Sequence, residues 1–337
     1  MHIHLTELRD MRLLSFFCGC GGLDLGFRNA GYQIIWANDN AHSVKETYEY
    51  NFPETEFCNT NINDLRIEDL PDDIVGIIGG PPCQSWSNAG KGGGFNDPRG
   101  KVFLTFINIL KEKKPLFFVA ENVKGLLAAR NKDSFNQIKD SFKEAGYDVW
   151  VGCLNANDFD VPQNRERVIF IGFKKGLNVQ YVFPQPLLKK PVVRDAIIDI
   201  QDNAVPMGQV PVVNAHEYWT GGFSYIYMSR NRVLDWNNPS FTIQASGRQT
   251  SIHPRAPKMI KVEKDIFMFS PEGHNLYRRL TARECARIQT FPDNFVFKYQ
   301  TLNDAYKMIG NAVPVNLSYH IALSIRRVLE ELHVWHV

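Results

Sequence analysis

The sequence has little that points to a membrane, a secreted scaffold or a metal framework. No apolar run among its 337 residues approaches the roughly 20 residues that a helix needs to cross a bilayer. The first residues place Glu7, Arg9, Asp10 and Arg12 before a short apolar stretch with no small-residue cleavage pattern behind it, so no export signal is expected. Six cysteines (Cys18, Cys20, Cys58, Cys83, Cys153 and Cys285) are scattered, with one close pair and no CxxC. That spacing is unlike a disulfide or zinc framework, and a cytoplasmic, reducing setting is expected with no metal. Net charge is nearly absent: 38 basic against 36 acidic side chains give +2, so attraction to a polyanion has to come from local clustering. Internal repeats and low-complexity tracts are also missing. What is present is an ordinary globular composition over a length suited to about two domains.

From Arg12 to about Gly172 short apolar runs alternate with helical patterns, which predicts an α/β domain with a parallel sheet and helices on both faces. The strand candidates are 13–17, 34–37, 74–78, 116–120, 149–154 and 168–171. Phe103, Phe106, Ile107 and Leu110 share one helical face, as do Phe135, Ile138 and Phe142, and each helix precedes a strand candidate. After about Asn178, Pro184, Pro186, Pro191, Pro206 and Pro211 break any long element, and a loop-rich second domain is expected. Helical signals return at 281–289. They return again after Pro314, where Leu317, Ile321, Ile325, Val328 and Leu332 form a stripe expected to pack on the first domain.

In such sheets ligands bind beyond the carboxyl ends of the strands. The first strand runs into Phe17-Cys18-Gly19-Cys20-Gly21-Gly22, where glycines let the backbone approach a nucleotide-like cofactor; an ordinary strand-helix turn or a dinucleotide site would look the same. The second ends at Asn38-Asp39, a carboxylate placed to accept from ribose hydroxyls, or else a solvated helix cap. The third ends in Gly79-Gly80-Pro81-Pro82-Cys83-Gln84-Ser85-Trp86-Ser87. A cysteine behind two stiff prolines at a sheet edge reads as a held nucleophile better than as a small buried hydrophobe. The fourth ends in Glu121-Asn122-Val123, on the same edge as Cys83; alone, Glu121 would be an unremarkable exposed glutamate.

These segments, with Gln163-Asn164-Arg165-Glu166-Arg167, the stretch from Arg279-Leu280-Thr281 to Phe291-Pro292, and Gly310-Asn311-Ala312-Val313-Pro314, resemble the DNA cytosine-5 methyltransferase family in order and spacing over nearly the whole chain. The second domain, through Met228-Ser229-Arg230-Asn231-Arg232-Val233 and Gln244-Ala245-Ser246-Gly247-Arg248-Gln249, resembles that of GGCC-specific restriction-modification enzymes. The resemblance implies a Rossmann-like, S-adenosylmethionine-dependent methyltransferase domain (residues 1–180 and 305–337) with a smaller irregular target-recognition domain and hinge (residues 181–304). It implies Cys83 as nucleophile on C6 of cytosine, Glu121 as donor to N3, Arg167 near O2, and Arg165 orienting the strand or the glutamate. A structural salt bridge is the alternative for either arginine.

For the cofactor the resemblance assigns Phe17, Gly19, Gly21 and Gly22 to the glycine turn, Asp39 to the ribose, the Asn61 region to the adenine, and Asn311 to the pocket. The family often has aspartate at the position of Asn61 and an aromatic at that of Asn40, so adenine contacts are expected to be made differently here. A flipped base needs a lid, and residues 85–100, with Gly90, Gly92, Gly93, Gly94 and Gly100, suit one whose Ser85, Ser87, Lys91 and Arg99 meet phosphates; a surface loop is the plainer reading. Between Gly221 and Lys261 stand Arg230, Arg232, Arg248, Arg255, Lys258 and Lys261 against Asp235 alone. Arg230, Arg232 and Arg248 suit two-pronged donation to guanine, or more plainly phosphate contact. The partner expected is double-stranded DNA, bound by a monomer. A restriction endonuclease would act on the same site without needing direct contact. An RNA cytosine methyltransferase would use the same core, but clustered arginines suit duplex reading. A nicotinamide oxidoreductase would lack the full G-x-G-x-x-G, and an inert DNA-binding regulator would have little reason to hold Cys83, Glu121 and Arg167 together.

Overall fold

A computed structural model describes residues 11–82 and 98–334, with backbone alone over 98–100. The chain opens with β1 (Arg12–Phe16), α1 (Gly22–Asn29), β2 (Gln33–Asn38), α2 (His42–Asn51), β3 (Glu56–Cys58) and β4 (Gly76–Gly79). It continues through α3 (Pro98–Lys113), β5 (Phe117–Val123), α4 (Lys132–Glu144), β6 (Tyr147–Asn155) and β7 (Glu166–Lys174). These strands form one seven-stranded sheet in the order β3-β2-β1-β4-β5-β7-β6. The order reverses between β1 and β4, so a crevice opens beyond their carboxyl ends.

The sheet is mixed, not parallel throughout as the alternation predicts: β7 runs antiparallel to both β5 and β6. The cause is connection length. Parallel neighbours need a crossover of a dozen or more residues, and only 156–165 separate β6 from β7, so the two close as a hairpin with β7 inserted between β5 and β6.

Two apolar layers cover the sheet. One face packs on Phe106, Leu110, Ile138 and Phe142 of α3 and α4. The other packs on α1 and the last helix, α8 (Val315–Glu331), which follows α5 (Val193–Ile197), α6 (Ala282–Ile288) and α7 (Leu302–Asn311). Of the expected stripe, Leu317, Ile321, Ile325 and Val328 are buried against the first domain, and Leu332 packs there partly buried. Ser318 Oγ donates to Leu23 O at 2.5 Å, and a Cβ on Gly26 would strike Ser318, so the two helices cross where only glycine fits.

Residues 180–300 are irregular, with short pairs β8 (Val205–Pro206) with β9 (Glu217–Tyr218) and β10 (Ile260–Glu263) with β11 (Ile266–Met268). Tyr227, Val233, Ile252, Ala256 and Met259 form a small core of their own. Leu280, Cys285, Ile288 and Phe291 instead join the large core, and the boundary expected at 304/305 falls inside α7, so the hinge side of the second domain is continuous with the first. Among the described residues no helix is long and apolar enough to cross a membrane.

Asp24 of α1 is fully buried and accepts from Ser15 Oγ at 2.7 Å and Tyr48 OH at 2.5 Å. Burial pushes its carboxyl up to about 6 against those two hydrogen bonds. The native state therefore holds this proton more tightly than the unfolded chain, and the associated stability is present at low pH and lost as pH rises through the window from about 4 to about 6. Subtracting the stability of the parent from that of Asp24→Asn should give a difference that grows by up to ~3 kcal/mol between pH 4 and 7. Denaturant unfolding across that range is the measurement, and a pH-independent difference would exclude titration of Asp24.

Candidate active site

The site is built at the strand tips flanking the β1/β4 crevice. Past β1 the chain enters left-handed backbone at Phe17 (φ 55) and Gly19 (φ 57). A Cβ on Gly19 would meet nothing, because that side faces open space. Gly22, in contrast, abuts the carbonyl of Val313, and any side chain there would push α1 away from the segment after α7. Asp39, just past β2, accepts from Gly19 N (Oδ2, 2.9 Å) and Ala41 N (Oδ1, 2.8 Å). Burial pushes its carboxyl up, while those two N–H groups and Lys307 oppose the shift. Each oxygen keeps a lone pair for a further donor.

On the other side of the crevice, Asn122 Nδ2 donates to Pro81 O at 3.0 Å, tying the proline turn to the tip of β5. Glu121 and Arg167 meet because β5 and β7 are antiparallel with Glu121 opposite Ile169 and Val123 opposite Arg167, which makes the two diagonal neighbours on one face. Glu121 Oε1 lies 2.7 Å from Arg167 Nε, both side chains 13% exposed. Burial pushes the Glu121 carboxyl up, and Arg167 and then Arg165 pull it back.

A cavity of about 360 Å³ joins these parts; Phe17, Gly19, Gly22, Asp39, Pro82, Glu121, Lys307 and Asn311 line it. Residues from both sides of the sheet's switch point thus share one volume. Cys83, Ser85, Ser87 and Lys91 lie outside the described residues, as does the side chain of Arg99.

Four expected residues stand elsewhere. Gly21 (φ 91) caps α1 against the rings of Phe52 and Tyr48 and does not line the cavity. Asn61 does not line it either: its side-chain oxygen accepts from Asn63 N at 3.0 Å, closing a one-turn helix. Arg165 is buried and makes no hydrogen bond with Glu121, on which it acts only through its charge. Its Nη2 donates to Gly310 O and Ala312 O, both at 2.9 Å, and its Nη1 to Ile243 O at 3.3 Å. Burial, with Arg167 nearby, brings its pKa down to about 9. These bonds fasten the residue before β7 to the carboxyl end of α7. Arg232 is buried too. Its Nε donates to Tyr227 O (2.9 Å) and its Nη2 to Ile226 O (3.0 Å), and its guanidinium lies 4.8 Å from the Tyr227 ring, so its Nε–Nη2 edge braces a loop. Arg230 and Arg248 are exposed.

Sequence reasoning gave no role to Asn122, Lys307 or Gln289. Lys307 stands one turn before Asn311 on α7, a spacing that puts both on one face. Gln289 accepts from Gln163 Nε2 at 2.8 Å and donates to Ile309 O at 2.7 Å, while Gln163 accepts from Ile243 N at 2.9 Å. No local pattern announces a buried amide relay between segments so far apart.

The C-5 cytosine-specific DNA methylase family profile matches residues 11–327. The chain belongs to that family. It is a DNA cytosine-5 methyltransferase, with the Rossmann-like fold of such enzymes. It is 51% identical over 331 residues to Type II methyltransferase M.FnuDI of Fusobacterium nucleatum, covering 95% of this chain and 96% of that one. To M.NgoPII of Neisseria gonorrhoeae it is 49% identical over 334 residues, covering 96% and 98%. Among solved structures, a DNA modification methyltransferase encoded within an E. coli prophage superposes with TM-score 0.73 at 24% identity, over 95% of this methyltransferase and 100% of that chain. Spodoptera frugiperda DNMT2 superposes at 0.67 and 20% identity, over 96% and 100%, a likeness of fold.

Proposed function

We propose that the enzyme transfers the methyl group of S-adenosylmethionine to C5 of a cytosine swung out of duplex DNA, the inner cytosine of GGCC, through a transient bond between Cys83 and C6. The observation that carries the reading is Glu121, paired with Arg167 and lining the same cavity as Asp39 and Pro82, the residue before Cys83.

The cavity suits the cofactor. Asp39 offers acceptors to a ribose, open space faces Gly19, and Phe17 supplies an apolar ring to the lining. Once bound, S-adenosylmethionine supplies an electrophilic methyl group on a sulfonium. The protein makes C5 nucleophilic. Addition of the Cys83 thiolate to C6 pushes electrons toward C5 and N3, a protonated Glu121 gives its proton to N3, and Arg167 donates near O2. After C5 gains its methyl group, a base removes the C5 proton, the C6–S bond breaks with return of the thiolate, and N3 gives back its proton. Burial of Glu121 favours the protonated form that the first step needs.

Residues 181–304, centred on the small core around Tyr227, read the sequence from Arg230, Arg232 and Arg248. The curated relatives are named Type II methyltransferases, and methylation by this chain would protect its site from an endonuclease without contact between the two proteins. A monomer suffices, because each strand of a palindrome presents one cytosine at a time.

Base-resolution mapping of 5-methylcytosine on a methylated plasmid, beside transfer RNA as a rival substrate, tests the reading. Methylation at the inner cytosine of GGCC is expected; modification elsewhere, or of RNA alone, overturns it. Arg230→Ala and Arg248→Ala should each lose about 1–3 kcal/mol of discrimination at one base position if they donate to a guanine edge. Binding to every single-base variant of the site at two salt concentrations separates this from phosphate contact, which weakens all sequences alike.

A further inference from the structure

We infer that Arg279 sets the geometry of the loops that read the DNA, as a specificity-positioning residue that does not itself face the duplex; the inference rests on the recognition role proposed for those loops. Arg279 is 1% exposed. Its Nη1 donates to Gly221 O at 2.7 Å and Trp219 O at 3.4 Å, and its Nη2 to Gly222 O at 3.0 Å and Arg248 O at 3.4 Å. Its guanidinium carbon lies 4.0 Å from the Phe223 ring centre and 5.1 Å from that of Tyr227. One planar fork therefore joins the 219–227 loop, which leads to Arg230, with the backbone of Arg248.

The two segments are separate loops, and the exposed arginines they present have to hold a fixed spacing to match guanine edges. Arg232 meets the same Tyr227 ring, so two buried guanidinium groups hold this loop. No carboxylate pairs with Arg279 among the described residues, whereas its neighbour Arg278 donates to both oxygens of Glu284, at 2.8 and 2.7 Å. A buried charge without a counter-ion is costly, and apolar side chains of similar volume commonly serve stability as well or better. What the guanidinium adds here is direction: donors aimed at carbonyls of two loops at once, a geometry that lysine cannot reproduce.

The test compares kcat/KM on the duplex that the enzyme is found to methylate with kcat/KM on each single-base variant of it, for the parent, Arg279→Lys and Arg279→Met. The ratio cancels any loss of folded protein, because the active fraction multiplies both terms, so it isolates positioning from stability. Both variants are expected to lower discrimination by about tenfold or more at one base position or several, with affinity for S-adenosylhomocysteine held near the parent value. Parent-like ratios in both, while Arg230→Ala or Arg248→Ala lowers them, overturn the role of Arg279 and leave the recognition reading standing. Parent-like ratios in all four variants overturn the recognition reading and the role of Arg279 with it.

Discussion

Duplex DNA carrying 5-fluorocytosine at the methylated position is expected to accumulate a stable covalent complex with the enzyme, linked through Cys83. Fluorine cannot leave C5 as a proton does, so the final elimination stalls with the C6–S bond intact. Cys83→Ser should abolish both trapping and turnover, because an alcohol stays protonated where a thiol ionises. Removal of a covalent nucleophile is felt on a scale of roughly 10⁴-fold or more in kcat. Duplex affinity should change little, since one atom is exchanged. A denaturing gel followed by peptide mapping reads the adduct, and undiminished trapping by Cys83→Ser would remove Cys83 from the mechanism.

The parts of the site that were legible in the sequence are those whose residue types are costly anywhere else. Glycines between β1 and α1, an aspartate at the tip of β2 and a glutamate ending β5 mark strand ends on one sheet edge, and the folded chain brings Phe17, Gly19, Asp39 and Glu121 around one cavity. Periodicity carries no direction, and so β7 read as one more parallel strand although the short 156–165 connection held the contrary signal. Side-chain exposure in an irregular segment is equally silent. Arg230, Arg232 and Arg248 look alike as letters, yet only Arg232 is drawn in, by carbonyls of Ile226 and Tyr227 that no local pattern points toward it. Asn61 followed the family's adenine position, and the structure adds what the letters do not show, that an asparagine before a turn also caps its own backbone, here by accepting from Asn63 N. Arg165 stands just before β7 and Arg167 within it, and although residues two apart on a strand share a face, the elements packed around them give them different partners: Arg167 the β5 carboxylate, Arg165 the carbonyls of Gly310 and Ala312.

Glu121→Gln is expected to lower single-turnover methyl transfer by roughly a hundredfold or more, the range typical of a general acid, with a much smaller change in DNA affinity. Glutamine keeps the shape and donates a hydrogen bond to N3, but it cannot give up a proton there, so the charge that develops as Cys83 adds stays uncompensated. The substitution also leaves Arg167 facing an amide across the 2.7 Å contact, and thermal unfolding of the variant controls for that loss. A pH profile separates the roles further. The parent needs Glu121 protonated, and burial pushes that carboxyl above the ordinary glutamate range, so transfer should fall as pH rises through the shifted value, against a rise from ionisation of the Cys83 thiol. The variant should keep the thiol limb and lose the other. Unchanged turnover, or a loss of DNA affinity as large as the loss of rate, would leave Glu121 as a structural partner of Arg167 and place the proton donor to N3 elsewhere.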